Sequence, residues 1–252
     1  MTAVGVTGGT GAMGTAVRDV ASARSDIDIS LIITRNSDSV PQSGVDVIAP
    51  DDVNGALDEV DVIVDFSVPD ATVDLLGQIE DDDVAVVCGT TGFDEDQRET
   101  LRSHGETMPI LYAPNFSRGV YVLQKALETT VARLPGFDIE LLETHHNRKR
   151  DAPSGTAYRL LETIQESRPE SPIVHGRSGE APRSSEEIGV HALRAGSITG
   201  EHEVLLAGPH EEVRLTHRAE SRDVFAAGAL DAAAWIDGKP PGWYGFADVV
   251  EV

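Results

Sequence analysis

The stretch Val4-Gly-Val-Thr-Gly-Gly-Thr-Gly-Ala-Met-Gly14 constrains this chain more than any other. It sets Gly9, Gly11 and Gly14 in G-x-G-x-x-G spacing, and Gly8, Gly11 and Gly14 in G-x-x-G-x-x-G spacing. A strand-like run, TAVGVTG, precedes the glycines, and a helix-compatible run from Ala12 to Ala23 follows. Glycines there let the backbone turn tightly and approach a pyrophosphate, and the helix start offers N–H groups and a positive dipole end to that anion. Strand, loop and helix together predict a dinucleotide-binding βαβ opening; the spacing alone is equally that of a tight turn with no ligand.

The rest of the first half fits that opening. DISLIIT, VDVIVDF, VAVVCGT and PILYAPN are apolar runs separated by helix-compatible stretches. This is the pattern of a parallel sheet buried on both faces. From about Phe137 the pattern changes. DIELLETHH reads as a strand, Ser154 to Ser167 as a helix, and IGVHALRAGS, EHEVLLAGPH and EEVRLTHRAES as strands of a mixed or antiparallel sheet. Arg222 to Asp237 reads as a long helix that returns to the first domain. The expected fold is α/β: a Rossmann-type doubly wound parallel sheet over 1–116, with 223–252 packing back, and a second α+β domain with a mixed sheet over 117–222, for substrate binding and oligomerisation.

The second strand decides which dinucleotide is preferred. A carboxylate there normally holds the adenosine ribose diol, but this strand ends Ile33-Thr34-Arg35-Asn36. Arg35 is suited to a 2′-phosphate, so NADPH is expected, with NADH possible; the competing reading is a surface arginine on a solvated loop. Gly89-Thr90-Thr91-Gly92, Ala113-Pro114-Asn115-Phe116 and Asp65-Phe66-Ser67 each follow a strand, where such sheets line their ligand crevice. Taken singly, each is an ordinary turn.

Charge narrows the partners. The net charge is -23, from 20 Lys+Arg against 43 Asp+Glu, with lysine reduced to Lys125, Lys149 and Lys239 and acidic runs such as EDDD at 80–83 on turns. Such a surface argues against nucleic acid and suits a salt-loaded cytoplasm. The chain has no apolar run long enough to span a membrane and shows no leader. Its one cysteine, Cys88, sits in an apolar run and fits a reducing compartment. A cytoplasmic location with no membrane partner is therefore expected.

Against this background, His145-His146-Asn147-Arg148-Lys149-Arg150-Asp151-Ala152-Pro153-Ser154-Gly155-Thr156 gathers cations in one place. The bland reading is a solvated basic loop. Yet Lys149 persists where lysine is scarce, imidazoles beside permanent cations should stay neutral near neutral pH, and Ser154-Gly-Thr opens a helix as an anion site. A small anion held beside a proton donor is the economical interpretation. Metal binding is disfavoured, since adjacent histidines without a Cys/Asp set are not a standard ligand pattern.

At these residues the chain resembles the dihydrodipicolinate reductases, also called the 4-hydroxy-tetrahydrodipicolinate reductase family, in a form suited to a halophilic archaeon. The likeness runs through GGTGAMG, DFSVPDAT, CGTTGF, APNFSRGV, ETHHNRKRDAPSGTA, RAGSITGEHEV and THRAESRDVFAAGAL. It implies that His145 and Lys149 donate protons, and that His146, Gly155 and Thr156 hold the carboxylates of a small dicarboxylate substrate. It also implies that Gly8, Gly9, Thr10, Gly11, Ala12 and Met13, with Gly89, Thr90 and Thr91 and with Ala113, Pro114, Asn115 and Phe116, bind the nicotinamide cofactor. A homotetramer joined through the second sheet is implied as well. Thr34 departs from the acid found in many relatives, which leaves NADPH favoured. The implied reaction removes water from a cyclic hydroxy-imine dicarboxylate and reduces the conjugated double bond.

Two other readings compete. TGGTGAMG with Tyr121-Val-Leu-Gln-Lys125 also fits a short-chain dehydrogenase, although Met108-Pro109 stands where its serine should lie. A dinucleotide-sensing regulator would share the fold but has no use for His145 and Lys149. The histidines at 104, 175, 191, 202, 210 and 217 are expected on surfaces or satisfied within strands. Arg194 and His217 resemble family positions inside the second domain, without an assigned catalytic role.

Overall fold

A computed structural model describes residues 1–40, 44–79 and 83–251; Glu80, Asp81 and Asp82 of the acidic run lie outside them. In chain order the elements are β1 (Thr2–Thr7), α1 (Ala12–Ala21), β2 (Ile27–Ile33), β3 (Asp46–Ile48), β4 (Val62–Asp65), α2 (Pro69–Gln78), β5 (Ala85–Cys88), α3 (Glu95–His104) and β6 (Pro109–Tyr112). Next come α4 (Arg118–Arg133), β7 (Asp138–His145), α5 (Gly155–Ser167), β8 (Ile173–His175), β9 (Ile188–Arg194), β10 (Gly200–Ala207) and β11 (Glu212–Ala219). The chain ends with α6 (Asp223–Ile236), β12 (Gly242–Tyr244) and α7 (Phe246–Val250). It forms two compact units, one of Met1–Phe116 with Arg222–Val252 and one of Ser117–Ser221.

The first unit holds a seven-stranded sheet in the order β12-β6-β5-β4-β1-β2-β3, every pairing parallel. Its central strands are apolar without alternation because both faces are covered. Side-chain period 2 then deals neighbours to opposite layers: Val62 and Val64 join the core with Val17, Ala229 and Leu230, while Ile63 joins the core with Leu75, Leu76 and Leu101. α3 is capped by Asp94, whose side chain accepts from the Gln97 N–H while the Gln97 side chain accepts from the Asp94 N–H. The returning α6 is rich in alanine and packs close. A Cβ at Gly228 would lie 1.8 Å from the Phe116 carbonyl oxygen. Arg24 donates to Asp231 at 2.6 Å, and the Thr2 hydroxyl to Asp237 at 2.8 Å, which fastens the return.

The second unit is a mixed five-stranded sheet in the order β11-β10-β7-β9-β8. β10 runs antiparallel to β7 and β11, and β9 parallel to β7 and β8. Leu123, Leu127 and Val131 of α4 and Leu160, Leu161 and Ile164 of α5 bury one sheet face with Ile139, Leu141, Val190, Val204 and Leu206. The architecture is thus α/β, a doubly wound parallel sheet plus a mixed-sheet unit. Three strands, β3, β8 and β12, were not anticipated; each is three residues long, too short to show a period. Among the described residues no helix is long and apolar enough to cross a membrane.

Candidate active site

In the first unit the glycines are required by space. Gly8 has φ +63°, and a Cβ there would lie 2.8 Å from the Phe66 carbonyl oxygen. A Cβ at Gly14 would lie 2.3 Å from the Gly8 oxygen and 2.6 Å from the Gly9 Cα, so the helix could not sit this close to the loop. Gly11 N donates to Gly8 O at 2.8 Å, and Thr15 N is the first amide of α1 to reach back to Gly11 O, at 2.9 Å. α1 starts at Gly11 with no side-chain cap and no acid in its first turn. The amides of Ala12, Met13 and Gly14 therefore precede the helix's first internal bond and leave its positive end uncompensated. The cradle fits a pyrophosphate.

Beside it lies a cavity of ≈ 320 Å³ lined by Gly8, Gly11, Thr34, Arg35, Asn36 and Phe66, among others. Arg35 is exposed there. Thr34 is buried, and its hydroxyl meets that of Thr10 at 2.9 Å and accepts from Asn36 N at 3.2 Å.

Asp65, fully buried, joins the carboxyl ends of the neighbouring strands. It accepts from the hydroxyls of Thr7, of Thr72 at 2.6 Å and of Thr90 at 2.8 Å, and from Ser67 N at 3.2 Å. The Thr90 hydroxyl also accepts from Ser67 N at 2.9 Å, so this side chain serves the loop itself. Gly89 is held against the Phe66 ring, whose edge a Cβ would meet at 2.1 Å. Thr91 is exposed, Pro114 and Asn115 are half-buried and Ala113 is buried. The Phe116 ring is core, packed edge-on against Phe66 at 5.9 Å and Phe246 at 5.3 Å. The buried Cys88 thiol is pushed up by desolvation and by neighbouring Asp65.

In the second unit, alternation along β7 puts Ile139, Leu141, Glu143 and His145 on the buried face. Glu143 has no exposed surface. Its carboxylate lies 2.6 Å from His145 Nδ1, accepts from Ser154 N at 3.0 Å, and accepts from both terminal nitrogens of Arg194 at 2.8 Å. Desolvation alone would raise this carboxyl; the hydrogen bonds from His145 and Arg194 outweigh it and bring it down to about 2. His202, opposite Glu143 on β10, stacks edge-on to His145 at 5.2 Å and meets the Ser154 hydroxyl at 3.0 Å. Burial, with His145 close by, lowers His202 to about 4.

The cation run is arranged differently from the sequence reading. The charge in contact with the His145 ring is the Glu143 carboxylate, where the sequence reading set permanent cations beside the imidazoles. Arg148 and Arg150 are exposed. Lys149 is mostly covered, its ammonium 3.0 Å from Asp151. Burial would raise Asp151, but the Lys149 hydrogen bond and charge hold it below the usual carboxylate range. Ser154 caps α5 by accepting from Ala157 N at 3.2 Å, and no acid stands in that first turn, where Gly155 and Thr156 lie. His146 follows β7, half-buried. The unit thus gathers His145, Lys149 and the start of α5 around one strand end, suited to an anion and a proton. Sequence motifs do not single out Glu143, His202 or Arg194, which the structure brings together beside His145. The signal for Glu143 was present, since an acid at an inward position of an alternating strand demands partners. Among the described residues no group of three His, Cys, Asp or Glu is placed to hold a metal ion.

A glycine cradle on a doubly wound parallel sheet, joined to a mixed-sheet unit carrying a buried histidine, defines a nucleotide-binding oxidoreductase class. Family models agree over nearly the whole chain: "Dihydrodipicolinate reductase, N-terminus" matches residues 2–116 and "Dihydrodipicolinate reductase, C-terminus" residues 119–250. The chain is 49% identical over 253 residues to a 4-hydroxy-tetrahydrodipicolinate reductase of Haloarcula marismortui, with 100% of both chains covered. It is 47% identical over 246 residues to one of Natronomonas pharaonis, covering 97% of this chain and 98% of the other. Among solved structures, a dipicolinate-bound dihydrodipicolinate reductase from Paenisporosarcina sp. TG-14 shares the fold, with TM-score 0.82 at 24% identity and 98% of each chain covered. The chain belongs to the dihydrodipicolinate reductase family.

Proposed function

We propose that this protein reduces 4-hydroxy-tetrahydrodipicolinate to tetrahydrodipicolinate, the step of diaminopimelate and lysine synthesis named for its relatives, and that it prefers NADPH over NADH. The observation that carries the reading is the His145 imidazole, anchored through Nδ1 and bordered at Nε2 by a residue without a side chain: a Cβ at Gly200 would lie 3.1 Å from Nε2.

The amides at the start of α1 and the loop Gly8 to Met13 hold the cofactor pyrophosphate, and Arg35 binds a 2′-phosphate by charge-assisted hydrogen bonds. The loops at Gly89 to Thr91 and Ala113 to Phe116 border the nicotinamide end. A reduced nicotinamide, when bound, supplies the hydride. The chain's residues handle charge and protons. His146, Gly155 and Thr156 orient the substrate carboxylates at the α5 start, and His145 and Lys149 stabilise the electron-rich ring and deliver the proton that quenches it. Elimination of water removes the ring hydroxyl together with a proton from the adjacent ring carbon, and the conjugated product then takes up the hydride and one proton, so that atoms and electrons balance.

The test is steady-state oxidation of NADPH and NADH with the product of the preceding synthase in high salt. Absence of turnover with either cofactor overturns the reading. The assembly we propose is a homotetramer joined through the second sheet, whose face away from α4 and α5 carries the exposed Leu193; a monomeric mass by light scattering would exclude it. A short-chain dehydrogenase reading finds no support: Tyr121 and Lys125 lie on α4 of the second unit, and Lys125 pairs with Glu128 at 3.7 Å.

A further inference from the structure

We infer that Glu143 is a positioning residue that fixes the tautomer of His145, holding the proton on Nδ1 so that Nε2 alone faces the reacting molecule. The inference rests on the reading of His145 as proton donor and adds to it a residue to which no role had been given.

Donors and acceptors around the Glu143 carboxylate decide the tautomer. The Glu143 carboxylate is fully buried and is approached by the Ser154 N–H and two Arg194 N–H groups, all obligatory donors. Its remaining approach, at 2.6 Å, is to His145 Nδ1. A carboxylate offers only lone pairs, so the imidazole must donate at Nδ1. A neutral imidazole has one N–H; once it is on Nδ1, Nε2 carries a lone pair, and on protonation the second N–H appears at Nε2. That second proton is the one passed to the substrate, leaving the Nδ1–H···carboxylate bond intact and a neutral ring that recharges from water.

Other charged or titratable groups near the ring do not compete for Nδ1. Arg194 of β9 is opposite His145 in register but donates to Glu143 and to the carbonyls of Leu193 and Asp151. His202 of β10 meets the ring edge-on and spends Nε2 on Ser154. His217 of β11, in register with His202, meets Ser117. Lys149 in the following loop pairs with Asp151. Gln in place of Glu143 keeps the shape but has a single acceptor oxygen for donors that need both, and its amide would point N–H groups at Arg194 or His145.

Nitrogen-15 NMR of the full-length wild-type chain, with the His145 signals assigned by loss in His145→Gln, reads the tautomer without substrate. The expected result, at a pH high enough for the ring to hold a single proton, is the Nδ1–H form, with that proton far downfield. A ring protonated at Nε2 instead overturns the inference. In parallel, Glu143→Gln should lower kcat at least ~10²-fold, shift the pH profile of kcat, and leave KM for NADPH within about twofold. A folded Glu143→Gln protein with wild-type kcat and pH profile also overturns it. If that variant does not fold, as circular dichroism will show, the wild-type tautomer decides alone. A chain that fails to reduce the heterocycle would sink the catalytic reading while leaving the tautomer result standing, so the two failures are distinguishable.

Discussion

The hydroxyl of Thr34 lies 2.9 Å from the hydroxyl of Thr10. This contact ties the end of β2 to the glycine loop where a ribose-binding carboxylate would otherwise project, and it leaves exposed Arg35 as the cation of a cavity that Asp51 and Asp74 also line. One lost charge-assisted bond is worth about 1.5–3 kcal/mol, or roughly 10- to 100-fold. Arg35→Ala should therefore cut the kcat/KM ratio of NADPH to NADH by that factor, chiefly through KM for NADPH. Thr34→Glu should move the ratio the same way by favouring NADH. An unchanged ratio in Arg35→Ala refutes the assignment.

Removing either proposed proton donor tests the chemistry. His145→Ala and Lys149→Ala should each lower kcat by at least ~10² while NADPH affinity, measured by fluorescence titration, stays nearly constant. Near-normal turnover in both would exclude the assignment.

His202 makes stability depend on pH. Its folded value is lowered from 6.5 to about 4, so the folded state favours the neutral ring. The unfolded chain takes up the proton first, and the stabilisation is full above about pH 6.5 and lost as pH falls toward about 4. Complete loss is on the order of 3 kcal/mol. Urea unfolding across this window should show the slope in wild type and a shallower one in His202→Gln. Glu143 adds a second, more acidic window in the same sense, between its ordinary value of 4.5 and about 2.

Gly228 should reverse a familiar rule. Replacing glycine by alanine inside a helix normally gains up to ~1 kcal/mol. Here the added methyl would stand 1.8 Å from the Phe116 oxygen, so α6 must move off its sheet. Gly228→Ala should lower the thermal midpoint, whereas Gly77→Ala, with nothing within 4 Å, should not. A more stable Gly228→Ala protein would contradict the packing described.

The surface charge of -23 predicts a response to salt. Self-repulsion is screened within about 10 Å at 0.1 M and about 3 Å at 1 M salt. The thermal midpoint should rise with potassium chloride into the molar range; greatest stability at low ionic strength would contradict this.

Much of the fold was legible because its strands announce themselves. The central strands are apolar except at their ends, β7 and β10 are strand-like runs whose burial alternates, and the turn after β1 needs its glycines. β3, β8 and β12 escaped because three residues carry no period. In the candidate site, the motif singled out His145 and Lys149 and set permanent cations beside the imidazoles, whereas the structure sets the Glu143 carboxylate against His145. Arg148 and Arg150 are exposed and Lys149 pairs with Asp151, while the group that touches His145 is Glu143, two residues back along an alternating strand. Arg194 and His202 enter only through sheet register, which joins positions far apart in the chain. Phe116 lies in a loop as read, but the core packing of its ring was not legible because its aromatic partner Phe246 lies beyond the entire second unit.

The knot around Asp65 gives one wall of the nucleotide crevice a direction. Thr7, Thr72 and Thr90 each own one hydroxyl hydrogen, and all three are turned inward to the same carboxylate. Thr7 also borders the crevice, and what it can show a guest is a lone pair. At Thr7 the cavity therefore presents an acceptor and no hydroxyl hydrogen, a point suited to a ligand hydroxyl or amide, while a phosphate oxygen suits the amides of α1.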